Sequence, residues 1–170
     1  MLKKGNQYDI TFKNFEKEDI NEDYLSWLNN KRLLKYSQQK KINYNYQKAV
    51  RYLDFIKKNK SLFKKIILKK NKLFIGTITA HFNFKKNEAD IGILIGNSKY
   101  RKKGLALQSW LKMIKYLFRY KNIKKITGGA RKQNKPMIKI FKKSGMRLIN
   151  QKKNFYNKTQ KYVKFQIKKN

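Results

Sequence analysis

Asp90, Glu88 and His81 are the side chains best suited by type and setting to move a proton in this chain. General acid–base catalysis needs a positioned group that exchanges a proton near neutral pH. Carboxylates are scarce: nine Asp and Glu stand against 45 Lys and Arg. Asp9, Glu16, Glu18, Asp19, Glu22 and Asp23 crowd the first segment, then Asp54, Glu88 and Asp90 follow, and no acid stands beyond Asp90. Asp90 alternates with Gly92 and Leu94, so it shares their face of a strand. A turn carboxylate paired with lysine would show the same pattern. His81 alternates with Thr77, Thr79 and Asn83, a polar strand face, and imidazole titrates near neutrality. A solvated strand histidine is its plain alternative. The absence of cysteine and the single histidine exclude disulfides and thiolate metal sites and argue against structural zinc, so no metal is expected.

Phosphate chemistry is suggested next to these acids. The apolar run Ile91, Ile93, Leu94, Ile95 stops at Gly96, a basic loop Lys99-Tyr100-Arg101-Lys102-Lys103 follows, and Gly104-Leu105-Ala106 opens an amphipathic stretch. A strand feeding a basic, glycine-containing turn at a helix start gathers unpaired N–H groups and the positive end of the helix dipole. Gly104 lets backbone approach a phosphate with no Cβ in the way. A plain strand-to-helix turn has the same spelling.

The elements that must carry these residues follow from periodicity. Tyr8–Phe15 alternates as a first strand, and Asn21 or Asp19 caps a helix bearing Tyr24, Leu25, Trp27 and Leu28. Residues 31–43 are polar and irregular, with a short helix over Arg32–Tyr36 as an option. Helical spacing continues over Tyr44–Lys58, then strands over Phe63–Leu68, Leu73–Phe84 and Ala89–Ile95. The helix after the basic loop leads to a strand over Ile123–Gly129, parallel to Ala89–Ile95 through a right-handed crossover. Pro136 opens a further helix that Gly145 ends in a left-handed cap. Arg147–Phe155 and Lys161–Ile167 form a last hairpin. The 170 residues read as one α+β domain with a mixed sheet.

This order resembles the GNAT superfamily of N-acetyltransferases over nearly the whole chain. Two motifs carry the likeness: Arg101-Lys102-Lys103-Gly104-Leu105-Ala106 matches the family's cofactor loop, and Asn134 through Phe141-Lys142-Lys143-Ser144-Gly145 matches its last helix. Tyr24-Leu25-Ser26-Trp27-Leu28-Asn29 and Ala89-Asp90-Ile91-Gly92 are similar to a subgroup of ribosomal-protein N-terminal and amino-sugar acetyltransferases. The resemblance implies an acyl-CoA N-acyltransferase fold of about seven strands with helices on both faces. It implies acetyl-CoA as donor, with its pyrophosphate on residues 101–106, where Arg101, Lys102 and Lys103 add charge. Pantetheine would insert near Leu94 and Ile95, with Asn134 on the arm and a backbone N–H between Gly92 and Ile95 on the thioester oxygen. The family's proton-donating tyrosine has Phe141 in its place, so the acid must be a water or a tyrosine from elsewhere.

Amine basicity bears on the acceptor. An α-amine titrates at about 8 and lysine at about 10.4, so neutralising lysine at pH 7 costs roughly 3 kcal/mol more. A site lacking that tyrosine acid suits the weaker base, which favours a nucleotide-linked amino sugar, with a ribosomal-protein N-terminus as the alternative. Trp27, Arg32 and Tyr36 are the expected acceptor contacts; the bland role for Trp27 is core packing. Net charge +36 fits a polyanionic partner or biased coding of Lys, Asn and Ile. A non-catalytic RNA- or DNA-binding module is therefore the rival reading. No apolar run approaches the roughly 20 residues of a membrane span, and the first residues lack a signal peptide's apolar core, so a cytoplasmic protein is expected. The sequence leaves the oligomeric state open.

Overall fold

The computed structural model describes residues 8–37, 41–119, 122–154 and 157–169. Strand β1 (Ile10–Asn14) is followed by helices α1 (Glu22–Asn29) and α2 (Tyr46–Lys58). β2 (Leu62–Leu68), β3 (Phe74–Asn83) and β4 (Glu88–Ile95) form an antiparallel meander. α3 (Leu105–Phe118) crosses to β5 (Lys125–Arg131), and α4 (Lys135–Lys143), β6 (Arg147–Asn154) and β7 (Asn157–Lys168) complete the order. The sheet runs β1-β2-β3-β4-β5-β7-β6, and β4 and β5 are parallel, as a helical crossover requires. This is the α+β mixed sheet that the pattern implies.

Each sheet face has its own apolar layer. On one side α3 and α4 bring Trp110, Met113, Leu117 and Phe141 against Ile78 and Ile126. On the other, α1 and α2 pack Tyr24, Trp27, Leu53 and Ile56 around Phe15 and Phe63. Local chemistry places the helix ends. Asn21 accepts from the Tyr24 N–H at 2.9 Å, and Asn45 from the Lys48 N–H at 2.9 Å. Asp19, the other cap candidate, instead takes the Glu16 N–H and an ion pair with Lys65 at 2.6 Å. Pro136 lies in the first turn of α4, and Gly145 (φ +79°) follows its end in the left-handed conformation.

Beyond shifts of one or two residues at element ends, three segments differ from the pattern. Arg32–Tyr36 are turns rather than a helix, and residues 38–40 lie outside the described ones. β5 extends past the Gly128-Gly129 pair to Arg131, because those glycines stay paired with Phe165 and Lys164 on β7. They make room for side chains: a Cβ on Gly128 would lie 2.9 Å from both Phe141 and Trp110. The last hairpin is longer, with β7 starting at Asn157; Phe155 and residues 1–7 lie outside the described residues. Among the described residues, no helix is long and apolar enough to cross a membrane.

Candidate active site

The sheet opens between its two parallel strands. β4 and β5 pair at Glu88↔Lys125, Ala89↔Ile126 and Asp90↔Thr127 only. β4 nonetheless keeps pairing with β3 through Ile95, and β5 with β7 through Arg131. Each strand follows its outer neighbour, so the two diverge beyond Asp90 and Thr127. Their facing backbone groups then lack a strand partner and must be met by something else. A cavity of about 760 Å³ passes through this opening, lined there by Gly92, Leu94, Gly129, Ala130, Trp110 and Asn134.

The loop at its mouth is built by side chains that bind backbone. Arg101 Nε donates to the Ile95 carbonyl at 3.1 Å, and its Nη2 to the Gly96 carbonyl. Partial burial pulls its pKa below the usual guanidinium value. Lys102 (φ +60°) and Gly104 (φ +79°) both take the left-handed conformation. Residues 102–106 make no backbone N–H hydrogen bond among the described residues. Left-handed turns leading into the N-terminus of a 14-residue helix gather such amides into an anion-binding concavity. A Cβ on Gly104 would meet nothing within 4 Å, so its backbone angle, not crowding within the protein, demands glycine, and the space beside it is open to a phosphate.

Two of the loop's three expected phosphate cations, Arg101 and Lys103, make contacts within the protein. Arg101 braces the end of β4. Lys103 Nζ donates to the Tyr8 hydroxyl at 3.1 Å and lies 5.4 and 5.6 Å from the Tyr8 and Tyr100 ring centres. Lys102 lines the cavity. Leu105 and Ala106 form the first turn of α3, and the Ile95 carbonyl is engaged by Arg101. Asn134 caps α4 by accepting the Met137 N–H at 3.2 Å, which leaves its Nδ2 amide group unbonded among the described residues and beside the cavity.

The proton-transfer candidates lie at the closed end of the opening, and none of the three lines the cavity. Glu88 is 2.5 Å from Lys125 across the β4–β5 seam. Asp90 accepts from the Thr127 hydroxyl and faces Lys164 at 3.6 Å, with both of those charged side chains nearly half exposed. His81 pairs with Asp90 across β3 and β4, and its Nδ1 lies 3.2 Å from the Ser61 hydroxyl. Among the described residues, no group of three or more His, Cys, Asp or Glu could hold a metal.

On the α1–α2 side, Arg32 and Tyr36 line the cavity, with Lys35 held 5.4 Å from the Tyr36 ring. Trp27 does not reach it. The indole is 8% exposed, packs on Phe74 at 5.0 Å, and lies so close over Gly96 that a Cβ there would fall 1.9 Å from it. Its expected place in acceptor contact thus becomes one in the core. Tyr24 and Tyr52, which helical spacing places on apolar faces, also line the cavity, as does Tyr44. Burial holds all three hydroxyls in the protonated form: it pushes Tyr52 up to about 12 and raises Tyr44 and Tyr24.

Phe141 is fully buried, with its ring 5.4 Å from Trp110 and 4.9 Å from Phe165. A different tyrosine reaches the opening. Tyr162 on β7 lines the cavity, and a Cβ on Gly129 would fall 2.0 Å from its hydroxyl oxygen. The sequence signal was the glycine pair inside a strand, which marks a close approach, but nothing in the pattern says which ring makes it.

A family model for the acetyltransferase (GNAT) domain matches residues 9–147. No curated protein matches the chain. The fold is shared with solved structures. A GNAT-family acetyltransferase from Bacillus anthracis is 21% identical with TM-score 0.77, covering 94% of each chain. The spermidine N-acetyltransferase from Vibrio cholerae, in complex with CoA and spermine, is 18% identical with TM-score 0.81, covering 94% of this chain and 95% of that one. Aminoglycoside acetyltransferase AAC(6')-Ib, in complex with coenzyme A, is 14% identical with TM-score 0.78 at the same coverage. With the opened parallel pair, the amide cradle and the family match over most of its length, the chain belongs to the GNAT acetyltransferases and is an N-acetyltransferase that uses acetyl-CoA.

Proposed function

We propose that the protein acetylates the primary amine of a nucleotide-linked amino sugar. One observation carries this: among the described residues, the cavity is lined on its α1–α2 side by Arg32 and Lys35, and nowhere by a carboxylate. A polycation entering such a site meets like charges with no counterion, whereas a diphosphate meets guanidinium and ammonium groups. Tyr36 offers a face for a base or sugar ring to stack on, and Tyr24, Tyr44 and Tyr52 offer hydroxyls that stay protonated. In this reading the amides of residues 102–106 hold the donor's pyrophosphate, and the opened edge of β4 near Leu94, with Asn134, holds its pantetheine. Asp90 takes up the proton the amine loses. Glu88 is committed to Lys125, and His81 to Ser61.

The ribosomal-protein N-terminus is the second reading. The low basicity of an α-amine keeps it in view, and net charge +36 suits a substrate surrounded by RNA. A panel of nucleotide amino sugars, N-terminal peptides, spermidine and an aminoglycoside, read by mass spectrometry for added acetyl, decides between them. Turnover of the nucleotide sugars is expected to exceed that of both polycations at least tenfold. Faster turnover of spermidine or the aminoglycoside defeats the proposal, and faster turnover of the peptides transfers it to the second reading.

A further inference from the structure

We infer that Tyr162 is the general acid of the acetyl transfer, protonating the departing CoA sulfur from β7 in place of a tyrosine on α4. The inference rests on the acetyl-transfer reading of the cavity. The tyrosine position on α4 is closed to this chemistry: Phe141 has no proton to give and is packed between Trp110 and Phe165. Among the described tyrosines of the cavity, Tyr24, Tyr44 and Tyr52 belong to the α1–α2 layer, whereas Tyr162 approaches from β7 across β5.

Its location follows from register. The last β4–β5 pair is Asp90↔Thr127, so two residues on, Gly92 and Gly129 are the first same-face positions across the opening. The Tyr162 ring crosses β5 over Gly129, and only glycine leaves that space: a Cβ would lie 2.0 Å from the hydroxyl oxygen and 2.5 Å from the ring carbon bearing it. A donor arm that starts at the cradle beyond the end of β4 and runs between the strands ends where they close, beside this hydroxyl. The hydroxyl makes no hydrogen bond among the described residues, so its proton is not committed elsewhere. The residue as a whole is 39% exposed, but loss of water around the phenol, and secondarily the negative charge of Asp90, raise its pKa above the usual tyrosine value and keep it protonated. Its register partners are Arg131 on β5 and Lys152 on β6, and Lys164 stands two residues on along β7.

The step balances. The neutral amine nitrogen forms a bond to the thioester carbonyl carbon, and the carbon–sulfur bond breaks with its electron pair on sulfur. The Tyr162 O–H proton passes to that sulfur, giving free CoA thiol. The proton lost by the amine passes through Asp90 or water and restores the phenol.

Tyr162→Phe removes the hydroxyl and keeps the ring over Gly129. It is measured with acetyl-CoA and the acceptor that the wild-type protein turns over fastest. A fall in kcat of at least tenfold is expected, as general acids contribute roughly 10²–10⁴-fold. The calorimetric Kd for acetyl-CoA and the melting temperature should stay unchanged. A kcat within twofold of wild type overturns the inference, as does a loss confined to KM, which would make Tyr162 a binding contact. Failure of the wild-type protein to bind acetyl-CoA would instead defeat the acetyl-transfer reading itself.

Discussion

Two carboxylates separated by one residue on β4 have different surroundings. Glu88 lies 2.5 Å from Lys125 with both side chains mostly covered, whereas Asp90 meets Lys164 only at 3.6 Å and both are nearly half exposed. A tight, covered pair is poorly placed to exchange protons, and a loose one beside the opening is well placed. Asp90→Asn is therefore expected to lower kcat at least tenfold and to raise the pH at which the enzyme reaches full rate. Glu88→Gln should change kcat by less than threefold and reduce stability by about 1 kcal/mol through the broken pair. Equal effects of the two variants on kcat would count against Asp90. Alternation along the strand put both acids on one face, but their partners come from β5 and β7, far away in sequence. The same holds for Trp27: its helical spacing was readable, while the glycine it covers is Gly96, in the loop after β4.

Elements were the most legible level, because period and punctuation are local. Asn21, Pro136 and Gly145 mark ends where the structure has them. The loop motif also located the cradle, since amide groups at a helix start need no distant partner. The contacts of its side chains were not legible, because Arg101 reaches back to Ile95 and Gly96 and Lys103 reaches Tyr8, far away in sequence. Helix α4 shows how one residue serves two ends: Asn134 caps it through Oδ1 and borders the cavity. Asn134→Ala should cost about 1 kcal/mol of stability from the lost cap. It should also weaken acetyl-CoA binding severalfold, read by calorimetry. Asn134→Ser restores a cap oxygen but no amide, so it should recover the melting temperature and not the affinity. Recovery of both would limit Asn134 to capping.

For the whole molecule, order along the chain predicted the mixed sheet, but the opening in it depends on pairings that no local pattern encodes. β4 and β5 share three residue pairs, while β3–β4 share eight and β5–β7 seven. The sheet is in this sense two sheets, one of four strands and one of three, hinged at a short seam and spanned by α3. Natural proteins usually pair, cover or blunt exposed strand edges, and this one carries two raw edges in its interior. In the proposed reading the donor's arm acts as a removable splint that completes the hydrogen bonding across this seam when acetyl-CoA binds. Amide hydrogen exchange should report this directly, with the end of β4 near Leu94 slowing at least tenfold when acetyl-CoA is added while β2 and β3 barely respond. Uniform slowing, or none at β4, would mean the two halves are already locked. In that reading catalysis is tied to mechanical integrity, since each release of CoA would unfasten the enzyme's own sheet.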